Sequence, residues 1–389
     1  MKIGLVLAKP PSYSETFFVS KIKGLQNHGF QVTMFVQNKE ADFSLCDVKV
    51  APKVYKRNFI FLLGNSLTVF LKLFLNLNRS IRFVRLEKQY GRSNKQLLKN
   101  LYNNSHLLTA NLDWVHFGFA TMALQSEHIA KAIGAKMAVS FRGFDISIYP
   151  IGHPDCYNKL WNKVDKIHVI SNDIKAMVYK YGFKDETEIV KITPAIDVTF
   201  FKSKKELNLG ETIHFVSIAR LHWKKGLNYT LEALSLLKES GLNFKYTIIG
   251  EGIELERLKF AVFQLDMLQN ITFTGKIAPR FVKEILETSD IYLQYSVQEG
   301  FCNAVLEAQA MGLLCVVSDA EGLSENVLSG VTGFVVPKRQ PKLLAKTLMK
   351  VVSLPVEEKN KIKANAIEHV RRNFNLKHQV EQFVKFYSE

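Results

Sequence analysis

Two glutamates, Glu299 and Glu307, stand eight positions apart in the segment with the densest set of chemically useful side chains. The apolar run Ile291–Tyr295 before them predicts a buried strand, and Ala304–Met311 predicts a helix that ends at a glycine. The free backbone N–H groups at the start of such a helix favour an anion. One carboxylate could then hydrogen-bond sugar hydroxyls while the other holds a ribose diol. A capping acid followed by a surface acid fits the same spacing.

Two cations, Arg220 and Lys225, follow a predicted strand that ends at Ile218. The planar fork of an arginine and the compact charge of a lysine together suit a diphosphate. A basic loop is usually a solvated surface, and the position of this one after a strand favours a ligand. Gly250 and Gly252 follow the next strand, but the third glycine of a dinucleotide fingerprint is missing, so they predict a tight turn.

In the first half of the chain, His116 and Asp145 are expected just past strand ends, where their side chains would face a ligand. His116 could orient or deprotonate an acceptor hydroxyl, and a hydrogen-bonded structural histidine fits equally well. Glu15, in the loop after the first strand, could reach a ligand or be solvated.

Strand and helix patterns that alternate from end to end must position these residues. About a dozen short apolar runs, from Ile3–Leu7 to Gly333–Val335, are bounded by Gly, Pro, Asp or Ser. Such runs are typical of strands covered on both faces of a parallel sheet, so the fold class is α/β and doubly wound. A polar break near residues 194–205 divides the chain into domains at 1–197 and 198–370, with a helical segment at 371–389. Two such domains form a cleft, where ligands usually bind.

The charge is concentrated in one region. The 389 residues carry 52 Lys and Arg against 36 Asp and Glu, a net charge of +16. Residues 51–100 hold eleven basic side chains and one acidic side chain, Glu87, and so supply +10 of that charge. A local block predicts one basic face, and without a recognition motif it does not indicate nucleic acid. The region either meets anionic lipid or is a solvated face over an apolar core.

The remaining composition bears on the cellular compartment. Four dispersed cysteines without metal spacing favour a reducing cytoplasm. The apolar part of the N-terminus is too short for a signal peptide, and polar residues interrupt the stretch 59–77. We therefore expect a cytoplasmic protein that contacts at most the inner face of the plasma membrane.

The motifs together resemble family 4 glycosyltransferases, in the subgroup that builds exopolysaccharides and lipid-linked glycans. The resemblance rests on these motifs in order: Arg220 with Lys225-Gly226, Gly250-Glu251-Gly252, Glu299 with Glu307, and Glu321-Gly322 with Glu325-Asn326-Val327. It implies the GT-B fold, two Rossmann-like domains facing each other across a cleft. It also implies retaining, metal-independent hexosyl transfer, without a cofactor, from a nucleoside diphosphate sugar to a glycan or lipid-linked acceptor.

The resemblance also implies roles for individual residues. Arg220 and Lys225 would neutralise the donor diphosphate, Glu307 would bind the ribose, and Glu299 would contact the donor sugar. Backbone amides would hold sugar and phosphate in a donor site that includes Gly250, Gly252, Gly300, Phe301 and Asn303. Together with Glu299, Arg220 and Lys225, the candidate catalytic residues include His116, by its expected position, and the candidate acceptor-binding residues are Glu15, Arg142 and Asp145.

Two positions depart from the family pattern, because Arg142 replaces a frequent histidine and Cys302 a frequent glycine. Two alternatives share the architecture, a nucleotide-sugar epimerase and a non-catalytic nucleotide-sugar-binding protein. The combined set of two cations and two glutamates argues against the epimerase, and turnover of a donor would exclude the binding protein.

Overall fold

The computed structural model describes residues 1–11, 16–39, 43–53, 59–184, 186–202 and 210–389. It divides into two compact units, Met1–Ile192 together with Val380–Glu389, and Thr193–Gln379. The sequence places the boundary after residue 197 and sets 371–389 apart as a helical segment. In the structure the first unit ends at Ile192, and residues 380–389 return to it.

A parallel sheet forms the centre of the first unit. Its strands are β1 Lys2–Leu7, β2 Gln31–Val36, β3 Asp47–Val50, β4 Trp114–Phe117, β5 Lys136–Phe141, β6 Lys166–Val169 and β7 Glu188–Lys191. Their order is β3-β2-β1-β4-β5-β6-β7, with every neighbouring pair parallel. The interior strands β4 and β6 are buried along their whole length, as expected for strands covered on both faces, although each contains a histidine and β6 also contains Lys166.

Helices connect these strands. They are α1 Thr16–Asn27, α2 Phe59–Leu75, α3 Leu77–Gln89, α4 Asn94–Asn103, α5 Ser105–Leu108, α6 Ile129–Ile133, α7 Tyr149–Gly152 and α8 Asn172–Lys180. Short 3₁₀ segments lie at Ala120–Ala123 and Trp161–Lys163, and a π-helical turn lies at Phe144–Ile148.

The second unit repeats the design with six parallel strands. They are β8 Ile213–Ile218, β9 Phe244–Ile249, β10 Ile271–Gly275, β11 Ile291–Gln294, β12 Leu314–Ser318 and β13 Phe334–Val336. The order is β10-β9-β8-β11-β12-β13. The helices are α9 Leu227–Glu239, α10 Leu255–Gln264, α11 Pro279–Thr288, α12 Asn303–Ala310, α13 Leu323–Asn326, α14 Pro341–Ser353 and α15 Val356–Asn373, with a 3₁₀ turn at Trp223–Lys225. The last helix, α16 Leu376–Ser388, begins in the second unit and belongs to the first unit from Val380 onward.

Both sheets reverse their strand order at one point, between β1 and β4 in the first and between β8 and β11 in the second. At such a switch point the connections leave neighbouring strands toward opposite faces of the sheet, which opens a crevice at the carboxyl ends. Each unit therefore has a place where loops can surround a ligand.

Three helices are followed by a glycine, and the end predicted for the helix at Ala304–Met311 is one of them. Gly29, Gly241 and Gly312 follow α1, α9 and α12 with left-handed φ values of +79°, +85° and +79°. After α9, the Leu242 N–H donates to the carbonyl of Leu237 at 3.1 Å, which completes the usual glycine-terminated cap.

Strand β3 is not predicted by the apolar runs of the sequence. Its residues, Asp-Val-Lys-Val, alternate charged and apolar side chains, and none of them is fully buried. It lies at the edge of the first sheet, where only one neighbour and partial burial are required. A search for continuous apolar runs therefore misses it.

The end of α16 belongs to the core of the first unit. A Cβ on Gly24 of α1 would lie 2.2 Å from Cγ2 of Val380, so the two helices are in close contact. Phe383, Phe386 and Tyr387 are buried, and the indole N–H of Trp114 donates to the Tyr387 carbonyl at 3.2 Å.

Candidate active site

The switch point of the second sheet collects the predicted donor-site residues. The chain leaves β8 toward Arg220 and Lys225, and it leaves the neighbouring β11 toward Glu299 and Glu307. The two loops are joined by backbone hydrogen bonds, since the Val297 N–H donates to the Lys224 carbonyl at 2.7 Å. The carboxyl ends of parallel strands meet at one edge, so residues far apart in sequence share this crevice.

Glycines allow the close packing of these loops. Gly226 has φ +63°, and a Cβ there would lie 2.0 Å from the Tyr295 carbonyl oxygen. Gly250 has φ +136°, and a Cβ there would lie 2.0 Å from the Ala219 carbonyl oxygen. Any larger residue at these positions would push the loops after β8, β9 and β11 apart. The turn predicted at Gly250 and Gly252 is thus also the surface on which the Arg220 loop rests.

Lys225 and Glu299 form an ion pair across the two loops. The Lys225 Nζ donates to Oε2 of Glu299, and both side chains are largely buried. Burial by itself lowers the pKa of Lys225, but the Glu299 carboxylate outweighs it, and the net pKa is raised. Lys225 therefore keeps its positive charge inside the site.

Two more cations stand close to this pair. Burial and the charges of Arg220 and Lys225 lower the pKa of Lys224. Arg220 itself is exposed. The three positive groups repel one another, and the acid close to Lys225 is Glu299. Their positive electrostatic potential favours the binding of an anion.

The Glu299 loop is fixed by contacts from the next strand connection. The Glu299 N–H donates to Oε2 of Glu321 at 2.8 Å, and the Gly322 N–H donates to the Glu299 carbonyl at 3.0 Å. Lys338 Nζ lies 3.6 Å from Oε1 of Glu321. A Cβ on Gly322 would lie 1.9 Å from the Gly300 carbonyl oxygen, so this approach also needs a glycine.

Glu321 belongs to a motif noted in the sequence, but its contact with the Glu299 N–H is not predicted there. The available signal is an acid three residues after a buried strand, at the same sheet edge as Glu299. Its partner is a backbone N–H, and no side-chain pattern identifies such a partner in advance.

Helix α12 begins at Asn303 beside this loop. Asn326 holds its entry, since the Cys302 N–H donates to Oδ1 of Asn326 at 3.1 Å and the Asn326 amide donates back to the Cys302 carbonyl at 3.2 Å. Phe301 and Cys302 are buried, with the Phe301 ring centroid 5.5 Å from that of Phe374. A role for Phe301 in the site is thus confined to its backbone.

Glu307 lies one turn into α12. Its side chain is only partly exposed, and burial raises the pKa of the carboxyl group to about 7. An acid in this state is costly to ionise in the free protein. Two hydroxyl donors, such as those of a ribose diol, would stabilise its charged form.

The structure corrects the placement of His116. The residue lies within β4, is fully buried, and does not face open space. Its Nε2 is 2.7 Å from the Ser140 hydroxyl, and its Nδ1 is 2.5 Å from the Tyr387 hydroxyl and 3.3 Å from Lys21 Nζ. Burial, followed by the charge of Lys21, holds its pKa well below the usual range. These described side chains enclose the ring, so a substrate hydroxyl does not reach it.

Asp145 is likewise structural rather than exposed to a ligand. Its carboxylate is buried and accepts the N–H groups of Arg142 at 2.9 Å, Gly143 at 2.8 Å and Ala120 at 3.2 Å. Burial raises the pKa of Asp145 against the opposing effect of these N–H groups. The side chain fixes the turn that carries Arg142.

Arg142 is partly buried beside β1 and β4. Its Nε donates to the Gly118 carbonyl at 3.1 Å, and its guanidinium lies 4.0 Å from the ring centroid of Phe17. Glu15, the remaining acceptor-side residue of the sequence analysis, lies outside the described residues.

Comparison with known proteins gives a consistent family. A model of the glycosyl transferases of group 1 matches residues 199–369. AmsK of Erwinia amylovora, named as an amylovoran biosynthesis glycosyltransferase, is 30% identical over 273 residues, 68% of this chain and 67% of AmsK. WcaL of Escherichia coli (strain K12), named as a putative colanic acid biosynthesis glycosyltransferase, is 26% identical over 399 residues, 96% of each protein.

A solved structure shows the same architecture. Anabaena Alr3699/HepE, in complex with UDP-glucose, has a TM-score of 0.73 and 15% identity and covers 100% of this chain and 99% of its own. The predicted fold class is confirmed, with two parallel-sheet α/β units in the GT-B fold. The chain therefore belongs to the group 1 glycosyltransferases of the GT-B fold, among relatives that build exopolysaccharide.

Proposed function

We propose that this glycosyltransferase moves a hexosyl group from a nucleoside diphosphate sugar to a glycan acceptor, with retention at the anomeric carbon and without a metal ion. The observation that carries the proposal is the ion pair of Lys225 with Glu299, flanked by Arg220 and Lys224, at the switch point of the second sheet. The complex of HepE with UDP-glucose supports a nucleotide-sugar donor.

The chemistry follows from where charge develops. Breaking the anomeric C–O bond places negative charge on the diphosphate and positive character on the sugar ring. Arg220, Lys225 and the first-turn N–H groups of α12 stabilise the diphosphate more in the transition state than in the ground state. These fixed cations supply the charge that a divalent ion supplies in other transferases.

Glu299 holds Lys225 in place and offers its second oxygen to a donor-sugar hydroxyl. Glu307 accepts the ribose diol, which relieves the cost of ionising its carboxyl group. Because His116 is buried inside the first unit, the proton of the incoming hydroxyl goes to the leaving phosphate oxygen instead. The new bond then forms on the face from which the diphosphate departs, which gives retention.

We propose that the glycan acceptor is lipid-linked and that the enzyme works in the cytoplasm at the inner face of the plasma membrane. The support is the basic region at 51–100. Among the described residues no helix is both long and apolar enough to cross a membrane. The enzyme would reach a lipid-linked acceptor by binding to the surface of the membrane.

The test combines donor binding with product analysis. UDP- and GDP-sugars are screened by thermal shift, each stabilising donor is incubated with acceptor in EDTA, and the anomeric configuration of the product is read by NMR. We expect one donor to give a retained product in EDTA. An inverted product, or loss of transfer in EDTA, would overturn the mechanism. Binding without transfer would indicate a sensor, and an isomerised donor sugar would indicate an epimerase.

A further inference from the structure

Between residues 64 and 75, helix α2 has one buried apolar face and one exposed apolar face. Val69 and Leu73 are buried against the first unit. On the opposite side Leu67, Phe70, Leu71, Phe74 and Leu75 are exposed by 74%, 43%, 60%, 68% and 76%. These five positions follow the i, i+3, i+4, i+7, i+8 spacing of a single helical stripe. An ordinary surface helix has one such stripe, and it faces the core.

The exposed stripe continues into the next helix. Leu77 and Ile81 of α3 are exposed by 47% and 39%, close behind Leu75 along the chain. We call the seven residues the apolar ridge: Leu67, Phe70, Leu71, Phe74, Leu75, Leu77 and Ile81. A cluster of exposed apolar side chains on two successive helices is typical of a place where a protein meets a membrane or a partner.

Positive charge accompanies the apolar ridge. Lys72, Arg82, Arg85 and Lys88 of α2 and α3 are all exposed. Between residues 64 and 99 the sequence has one acid, Glu87, and that side chain is fully buried. Its carboxylate binds His128 at 2.6 Å and the Asn100 amide at 2.6 Å, so it presents no negative charge to the surface.

The apolar ridge and the cations beside it together indicate what binds to this surface. A second copy of the chain, packed through the same two helices, would bring two sets of exposed cations together, and residues 64–99 expose no acid that could pair with them. An anionic bilayer satisfies both features, because the apolar side chains enter the acyl region and the cations meet the headgroups. We infer that α2 and α3 lie in the interface of an anionic membrane, with the apolar ridge inserted below the headgroups. This deepens the membrane contact of the proposed function and rests on it, although binding to lipid requires no sugar transfer.

Vesicle binding by the full chain tests the inference. The protein is sedimented with vesicles of phosphatidylcholine alone and of phosphatidylcholine mixed with about a third of phosphatidylglycerol, enough to give the surface a negative potential. We expect the wild type to bind the anionic vesicles, and we expect this binding to weaken as salt is added. The double variant Leu71→Ser/Phe74→Ser removes apolar area from the inserted face, so its partition coefficient should be at least about ten-fold lower. The matched control is Phe260→Ser/Phe263→Ser on α10, whose rings are exposed by 59% and 63% in the second unit and should not contribute. All four positions are exposed, and unfolding curves verify that each variant is folded.

A Phe74→Trp variant adds a direct readout, because an inserted indole shifts its emission to the blue on vesicle addition. The inference is overturned if the wild type ignores anionic vesicles, if both double variants bind equally, or if the indole emission of the Phe74→Trp variant does not move. A concentration-dependent dimer that Leu71→Ser/Phe74→Ser abolishes would assign the surface to a second copy instead. Transfer to a short water-soluble acceptor is measured separately. Transfer without vesicle binding removes only this inference, whereas vesicle binding without transfer removes the proposed function.

Discussion

Replacing Glu307 by glutamine should stabilise the second unit at alkaline pH while weakening its hold on nucleotide. Burial raises the pKa of this carboxyl group from its ordinary 4.5 to about 7. Between those two values the folded protein keeps a proton that the unfolded chain has released. The contribution of this carboxyl group to the free energy of unfolding therefore falls as the pH rises from 4.5 through 7. A glutamine does not ionise, so the Glu307→Gln variant lacks this pH dependence.

The size of the effect follows from the two pKa values. A difference between 4.5 and about 7 corresponds to about 3 kcal/mol once the group is fully ionised in both states. Because the side chain is partly exposed, we expect about 2 kcal/mol at pH 8, and less than about 1 kcal/mol at pH 5. For a unit of this size 1 kcal/mol moves the unfolding midpoint by roughly 2–4 °C, so the gain at pH 8 should be roughly 4–8 °C.

Thermal unfolding of wild type and Glu307→Gln at pH 5, 6, 7 and 8 measures the difference. Glu232→Gln, at an exposed position within α9, is the matched control and should show no such trend. Titration with UDP at pH 8 should show roughly 10–100-fold weaker binding for Glu307→Gln, because the ribose loses a charged acceptor. An equal gain in stability at pH 5 and pH 8, or unchanged UDP affinity, would refute the reasoning.

Three further changes test other parts of the structure. Lys225→Ala removes a cation from the proposed diphosphate site and should lower kcat for sugar transfer about 10²–10³-fold. The control Lys346→Ala, on the surface of α14, should leave kcat unchanged. Equal kcat values for the two variants would contradict the role of Lys225. Glu321→Ala removes the acceptor of the Glu299 N–H and should lower kcat about 10-fold. Glu321→Gln should retain most of the rate because its amide oxygen still accepts, and an equal loss would exclude this positioning role. Glu87→Ala should destabilise the first unit by about 3–5 kcal/mol in urea unfolding with UDP affinity unchanged, and a cost below about 1 kcal/mol would show that the buried network contributes little.

The placement of much of the candidate donor site could be predicted from local patterns. Arg220 and Lys225 follow one buried strand and Glu299 and Glu307 follow another, and parallel strands always deliver their carboxyl ends to the same edge. The direct contact between Lys225 and Glu299 could not be predicted in this way. It requires β8 and β11 to be neighbours, and strand order depends on which helices cover which face, not on the residues of either strand.

Hydrogen bonds from side chains to backbone groups are a second feature of the site that the sequence does not predict. Glu321 holds the Glu299 N–H, and Asn326 holds both the N–H and the carbonyl of Cys302. A sequence shows which side chains can accept or donate, but every residue has the same N–H and carbonyl. The loops that present Glu299 and α12 to a ligand are therefore fixed by contacts that only the folded chain specifies.

His116 shows how a distant segment decides the chemistry of a residue. Its position near the end of a strand suggests access to a substrate, and nothing in residues 114–118 argues otherwise. The end of α16 places Tyr387 against the ring, 271 residues away in sequence, and α1 adds Lys21 from the same side. A histidine sealed among a lysine, a tyrosine and a serine is held neutral and cannot exchange a proton with a bound acceptor. In the mechanism we propose, the general base is therefore the donor's own phosphate, and this is consistent with cations gathered at Lys225, Lys224 and Arg220 rather than around His116.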